Sequence, residues 1–112
     1  MENIEIWKDI ENYEGLYQVS NLGRVRSLER DVYCQNGTFH YRTGERILVP
    51  VLDRGGYQYV NFKVEGKNTN FAVHRIVANA FIQNPNGYTE VNHKDYDRMN
   101  NCVDNLEWVT SS

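Results

Sequence analysis

The chain has 112 residues, 40% apolar and 12% aromatic, enough for one small domain or for two lobes sharing a packed interior. No run approaches the roughly 18 apolar residues of a membrane span. The start Met1-Glu2-Asn3-Ile4-Glu5 is not a signal peptide, and Cys34 and Cys102 are too few for a disulfide framework or a paired-cysteine zinc knuckle, so the expectation is a cytoplasmic protein with reduced thiols.

The net charge of −3 excludes a uniformly basic nucleic-acid binder, but the charge is unevenly spread. Residues 1–20 carry Glu2, Glu5, Asp9, Glu11 and Glu14 against Lys8, a net of −4. Residues 21–46 carry Arg24, Arg26, Arg30, Arg42 and Arg46 against Glu29, Asp31 and Glu45, a net of +2. The rest comes to −1. A local arginine strip can hold DNA on an acidic protein, because the guanidinium fits phosphate and guanine edges.

Trp7-Lys8-Asp9-Ile10 opens the chain with a short patterned segment, and Tyr13-Glu14-Gly15 turns it. Tyr17–Ser20 and Gly23–Leu28 alternate as strands, joined through Asn21-Leu22-Gly23, the residues of a tight hairpin. Arg24 and Arg26 share one face of the second strand, where they suit either a phosphate contact or a solvated surface. Residues 33–44 are polar and unpatterned and read as a mobile loop. Arg46–Val49 is a short strand stopped by Pro50, and Asp53–Gly56 is a turn. From Tyr57 to Val64 the pattern alternates, with Val60, Phe62 and Val64 on one side; a turn at Glu65–Asn68 then leads into Asn70–Val73, which completes a β-hairpin.

The period then changes. Val73, Ile76, Val77, Ala80 and Phe81 form one apolar stripe of an amphipathic helix, which ends by Asn84-Pro85. His74 and Arg75 lie beside that stripe near the helix start, where they cap or flank it; Arg75 also suits a phosphate contact. Glu90–Asp95 runs from a strand into a polar loop, and Leu106–Thr110 is a second strand with Leu106 and Trp108 on one face.

Between these two strands lies the densest polar cluster of the chain. His93 is its single histidine, the side-chain type that can act as a base near neutral pH. Asn92, Asp95, Asp97, Asn101, Asp104 and Asn105 are oxygen donors of the kind a hard cation takes. The same composition also suits an ordinary turn.

The run from Val73 to Ile82, followed by Asn84-Pro85, Val91-Asn92-His93-Lys94-Asp95, Asn100-Asn101 and Asn105–Thr110, resembles the His-Asn-His (HNH) endonucleases of phages and self-splicing introns. Trp7–Ile10 with Tyr13–Ser27 resembles the small modular DNA-binding domain that often precedes such nucleases. The resemblance implies a ββα-metal nuclease that cuts double-stranded DNA. It makes His93 the general base and Asn92 the first metal ligand, where some relatives have Asp. Asn105 braces the loop and holds His93 in orientation, and the ion is Mg²⁺ or another divalent cation. Arg24, Arg26, Arg30 and Arg75 are the expected DNA contacts.

One departure stands out. The family's second metal ligand sits on a helix after the second strand and falls, by spacing, roughly nine residues beyond Asn105, just past Ser112. The expectation is therefore a nuclease lacking its final helix (a fragment, a natural remnant, or a chain completed by another) that, without the second metal ligand, is inactive as it stands or cuts only weakly. Without that helix, Leu106 and Trp108 are expected to be exposed and to favour self-association. The fold class expected is α+β, a β-rich N-terminal lobe plus a central helix and an incomplete ββα-metal motif. Residues 1–55 form the DNA-binding lobe and 56–112 the HNH domain. The rival reading is a non-catalytic DNA- or protein-binding module derived from such a nuclease.

Overall fold

A computed structural model of the chain describes residues 4–33 and 36–110. It is a mixed fold of short strands with one α-helix. Strands β1 (Trp7–Asp9), β2 (Tyr17–Ser20) and β3 (Val25–Ser27) pair antiparallel in sequence order. The β2–β3 turn is closed by the amide of Gly23, which donates to the Ser20 carbonyl (3.1 Å). The buried Ser20 hydroxyl accepts from the amides of Leu22 and Arg24, both at 3.2 Å.

The segment expected as a loop over 33–44 is instead half of a ribbon. Strand β4 (Arg30–Tyr33) pairs with β5 (Phe39–Thr43) through an irregular register at Val32/Tyr33. Arg42 ties the two strands by donating to Glu29 (2.9 Å) and Asp31 (2.7 Å). This ribbon pairs only with itself among the described strands, so no core-facing alternation announces it. Cys34, expected as a reduced thiol, lies outside the described residues; Cys102 is a free thiol.

Strand β6 (Arg46–Ile47) joins the edge of β3, giving the order β1-β2-β3-β6. A second sheet follows: β7 (Val51–Leu52), β8 (Gln58–Val64) and β9 (Lys67–Ala72). Glu65 (φ 52°) and Gly66 (φ 78°) make the two-residue β8–β9 turn, both in the left-handed region that a tight hairpin of this twist demands. The expected alternation holds in β8: Val60 and Phe62 are buried, Asn61 and Lys63 exposed.

Helix α1 (Val73–Phe81) starts directly from β9, with no side chain capping its first turn, and stops at Ile82, which is extended. Its buried residues are Val73, His74, Ile76, Val77 and Ala78. That face is wider than a single stripe because the helix is packed on two sides, by β2, β8 and β9 and by the last ribbon. This ribbon is β10 (Glu90–His93) paired with β11 (Leu106–Val109), preceded by one 3₁₀ turn at Val103–Asn105.

One core joins both halves of the chain. Ile10, Tyr17, Val19 and Val25 pack with Val60, Phe62, Val73, Ile76, Val77 and Leu106. Tyr17 stacks on Phe62 (4.1 Å between ring centres, 17° between planes), and its hydroxyl accepts from the Lys63 amide at 3.1 Å. The expected exposure of Leu106 and Trp108 is corrected. Leu106 is 2% exposed, and half-buried Trp108 donates its indole N–H to the Ile82 carbonyl, the free end of the helix (3.1 Å). No helix among the described residues is long and apolar enough to cross a membrane.

Candidate nuclease site

His93 ends β10 with its side chain turned inward, 5% exposed. Asn101 fixes the ring. The asparagine gives its nitrogen to Gln58 Oε1 (2.9 Å) and turns its oxygen to His93 Nε2 (2.7 Å). An amide oxygen only accepts, so Nε2 carries the proton and the basic lone pair of His93 sits on Nδ1.

Two further rings box in this imidazole. His74 lies 5.1 Å away and Tyr57 5.9 Å, centre to centre, with 5.2 Å between them. His74 is 7% exposed, and its Nδ1 has no hydrogen-bond partner among the described residues. Burial, reinforced by the neighbouring His93 and Arg75, pushes its pKa down to about 4, so it is neutral at physiological pH. It is therefore not a helix cap or flank but one wall of the site. Arg98 stacks over Tyr57 at 4.8 Å and donates to the Gly55 carbonyl, which sets a cation at the rim.

Asn105 holds the loop that follows His93. Its nitrogen donates to Asp95 Oδ1 and to the Asn100 carbonyl (both 2.9 Å), and its side-chain oxygen accepts from the Asp95 amide at 3.1 Å. Its own carbonyl accepts from the Lys94 amide (2.8 Å). The hydrogen bond from Asn100, then the Asp97 amide and Asn105, hold the exposed Asp95 carboxyl below its ordinary value. Asn105 thus shapes the loop, whereas the ring itself is held by Asn101.

The hairpin turn of the first sheet is the shelf for this loop. The Val103 amide donates to the Asn21 carbonyl (2.8 Å), and the Cys102 thiol meets the Leu22 carbonyl at 3.5 Å. Gly23, at φ +87°, lies so close that a Cβ there would meet Asn101 backbone atoms at 2.9 Å.

Asn92 lies one residue before His93 and faces the other side of β10. Its nitrogen donates to Glu107 Oε2 at 2.9 Å. A carboxylate can only accept, so this contact leaves the Asn92 oxygen as the atom free for a cation. Oxygen donors of this kind fit Mg²⁺ or a similar hard ion. Among the described residues no three His, Cys, Asp or Glu side chains cluster to hold a metal, so water and phosphate oxygens would have to fill most positions.

The four arginines are all engaged within the chain. Arg24 makes two bonds to Glu5, one at 2.8 Å, and this pairing lowers the Glu5 pKa. Arg26 stacks on Trp7 (4.1 Å), chelates Gln18 Oε1 and pairs with Glu45 at 3.0 Å. Arg30 stacks on Tyr17 and reaches the Lys63 carbonyl (3.2 Å). Arg75 spans the Thr89 carbonyl and Glu90, both at 2.8 Å. Sequence reasoning missed His74, Tyr57, Gln58, Arg98 and Glu107 and used Asn101 only as an oxygen donor; the alternation of β8 and the helical period of His74 with Ala78 were the available signals.

The NUMOD4 motif family matches residues 5–63, just over half of the chain. The chain belongs to the NUMOD4-bearing HNH endonuclease family. Among its relatives, DNA endonuclease I-HmuI of Bacillus phage SP01 is 38% identical over 93% of this chain and 52% of its own length. H-N-H endonuclease F-TflII of Escherichia phage T5 is 33% identical over 66% of this chain and 39% of its own. The solved structure titled DNA binding and cleavage by the HNH homing endonuclease I-HmuI superposes with a TM-score of 0.71, covering 94% of this chain and 52% of that one. This HNH-family chain thus spans about half the length of its I-HmuI relative.

Proposed function

We propose that this HNH-family chain hydrolyses phosphodiester bonds of double-stranded DNA with a divalent cation, Mg²⁺ by the chemistry of its oxygen donors. One observation carries the reading: a buried histidine whose Nε2 proton is committed to Asn101, leaving Nδ1 as a base of fixed orientation. His93 takes the proton from the water that attacks phosphorus. The bond from phosphorus to the leaving 3′ oxygen breaks, that oxygen departing as the 3′ hydroxyl once protonated by solvent. Asn101 holds the imidazole in that tautomer and steadies the imidazolium that forms. Asn105 keeps the following loop folded around Asp95. Asn92 offers its side-chain oxygen to the cation, which when bound supplies Lewis-acid stabilisation of the negative charge at phosphate.

Residues 1–55 position the duplex through Arg24, Arg26 and Arg30, with Arg75 contributing from the helix, and residues 56–112 carry the chemistry. The acidic partners of Arg24, Arg26 and Arg75 yield to phosphate on binding, an exchange of one charge-assisted bond for another.

A plasmid assay with Mg²⁺ and Mn²⁺, run beside His93→Ala and a chelator, tests this. The expected result is metal-dependent nicking that falls at least about a hundredfold in His93→Ala, the scale of a lost general base. Retention of the plasmid without nicking would replace catalysis with the reading of a DNA-holding module. Neither nicking nor salt-sensitive retention would overturn both.

A further inference from the structure

Asn92 poses an electrostatic problem. A Mg²⁺-type ion dehydrates reluctantly and is usually held through one or two carboxylates, and an amide oxygen brings no charge. The missing charge lies one strand away. In the β10–β11 register Asn92 stands directly opposite Glu107, and the side chains meet at 2.9 Å. Period-two alternation keeps this pair off the inward face, where His93 and Leu106 stand opposite each other and are buried.

Glu107 also differs from the other carboxylates that pair across the surface. Glu5, Glu29, Glu45 and Glu90 are each answered by an arginine. Among the described residues, none of the ion pairs involves Glu107; its side-chain partner is the Asn92 amide. The contact also aims Asn92, because the nitrogen must face the carboxylate and the oxygen must face away.

We propose that Glu107 is the carboxylate of the cation site: it orients the Asn92 oxygen toward the ion and supplies the negative charge that Asn92 lacks. The inference rests on the metal-dependent reading above. Glu107 is a positioning residue acting through Asn92, as a carboxylate behind a metal ligand sets that ligand's direction and basicity.

Mn²⁺ binding without DNA, read from the paramagnetic signal of the free ion, separates charge from architecture. Glu107→Gln keeps an oxygen to accept from Asn92, and its melting temperature should stay within a few degrees of the unaltered chain. The expected result is Mn²⁺ affinity about 10- to 100-fold weaker. The double variant Asn92→Asp/Glu107→Gln, which moves the carboxylate to the other strand, should recover most of that loss. Glu65→Gln, which removes an exposed carboxylate at the β8–β9 turn, should bind as the unaltered chain does. The assignment to Glu107 is overturned if Glu107→Gln binds normally, if the double variant stays as weak as the single, or if Glu65→Gln loses as much. Those outcomes leave the nuclease reading standing. An unaltered chain that binds no Mn²⁺, with or without DNA, overturns this inference together with the metal dependence of the proposed function.

Discussion

The arginine strip and the His93 loop are both dense in polar residues, yet they are built in opposite ways. Around Arg24 and Arg26 the partners are carboxylates in pairs with one exposed member each: Arg24 is 52% exposed against 19% for Glu5, and Glu45 53% against 23% for Arg26. Around His93 the partners are the buried Asn101 amide, itself held by Gln58, and the rings of His74 and Tyr57. Exposed ion pairs contribute little to stability and exchange readily, whereas a buried amide left without its partner costs about 1–3 kcal/mol. The first region is therefore suited to trade its bonds for those of a ligand, and the second to hold one geometry throughout.

The sharpest way to break this contrast is at Gly23, where the two regions touch. Gly23→Ala puts a Cβ at φ +87° and against the Asn101 backbone. Left-handed strain and overpacking together predict a loss of about 2–4 kcal/mol in chemical denaturation. They also predict reduced nicking at temperatures where the variant is folded, because Asn101 is displaced from His93. A variant with both properties intact would mean that the two regions move independently.

A comparable effect comes from pH. His74 is held neutral, its pKa lowered from 6.5 to about 4 by burial. Above pH 6.5 it is neutral both folded and unfolded, and its stability contribution is fully present. As pH falls from 6.5 toward 4 the unfolded chain takes up a proton that the folded chain refuses, so stability drops by up to about 3 kcal/mol. The contribution of Asp95 runs the same way but lies lower, being lost only as pH falls below 3.8 toward its depressed value. Urea titrations across pH 4–7 should show the slope in the unaltered chain and a flatter one in His74→Phe. Equal slopes would show that this ring is not shielded from water.

The smallest effect is expected on the strip itself. Glu5→Gln removes the charge that holds Arg24 and weakens the contact of Glu5 with the buried Ser20 hydroxyl, so stability should fall by about 1 kcal/mol. DNA affinity should rise modestly, and the plot of log affinity against log salt should steepen by up to about 0.9 as one more phosphate is neutralised. An unchanged slope would remove Arg24 from the DNA contacts.

Elements whose pattern faces the core were legible in the sequence. The alternation of Val60 and Phe62 and the period of Val73, Ile76, Val77, Ala80 and Phe81 name β8 and α1 because burial on one side selects those periods. The ribbon of β4 and β5 was not legible, since its strands pair with each other and with no other described strand. His74 was missed for a related reason: a one-sided stripe assumes one packed face, and α1 has two. In the candidate site, His93, Asn92 and Asn105 were singled out through motif spacing. Glu107 and Gln58 were not, because opposition to Asn92 depends on the β10–β11 register across a 12-residue interval, and contact with Asn101 depends on tertiary packing. Neither distance is encoded in local periodicity.

The shelf formed by Asn21, Leu22 and Gly23 bears on how such nucleases can be recombined. A splice between residues 55 and 56 looks clean along the chain, but it would carry away the carbonyls that seat Cys102 and Val103, as well as Tyr17, which stacks on Phe62. A chimera that imports a foreign N-terminal half would meet the loop after His93 with an unmatched turn. Transplants that move residues 21–23 and 101–103 together, with the Tyr17–Phe62 pair, keep that seam closed, so the natural unit of exchange in this fold is discontinuous in sequence.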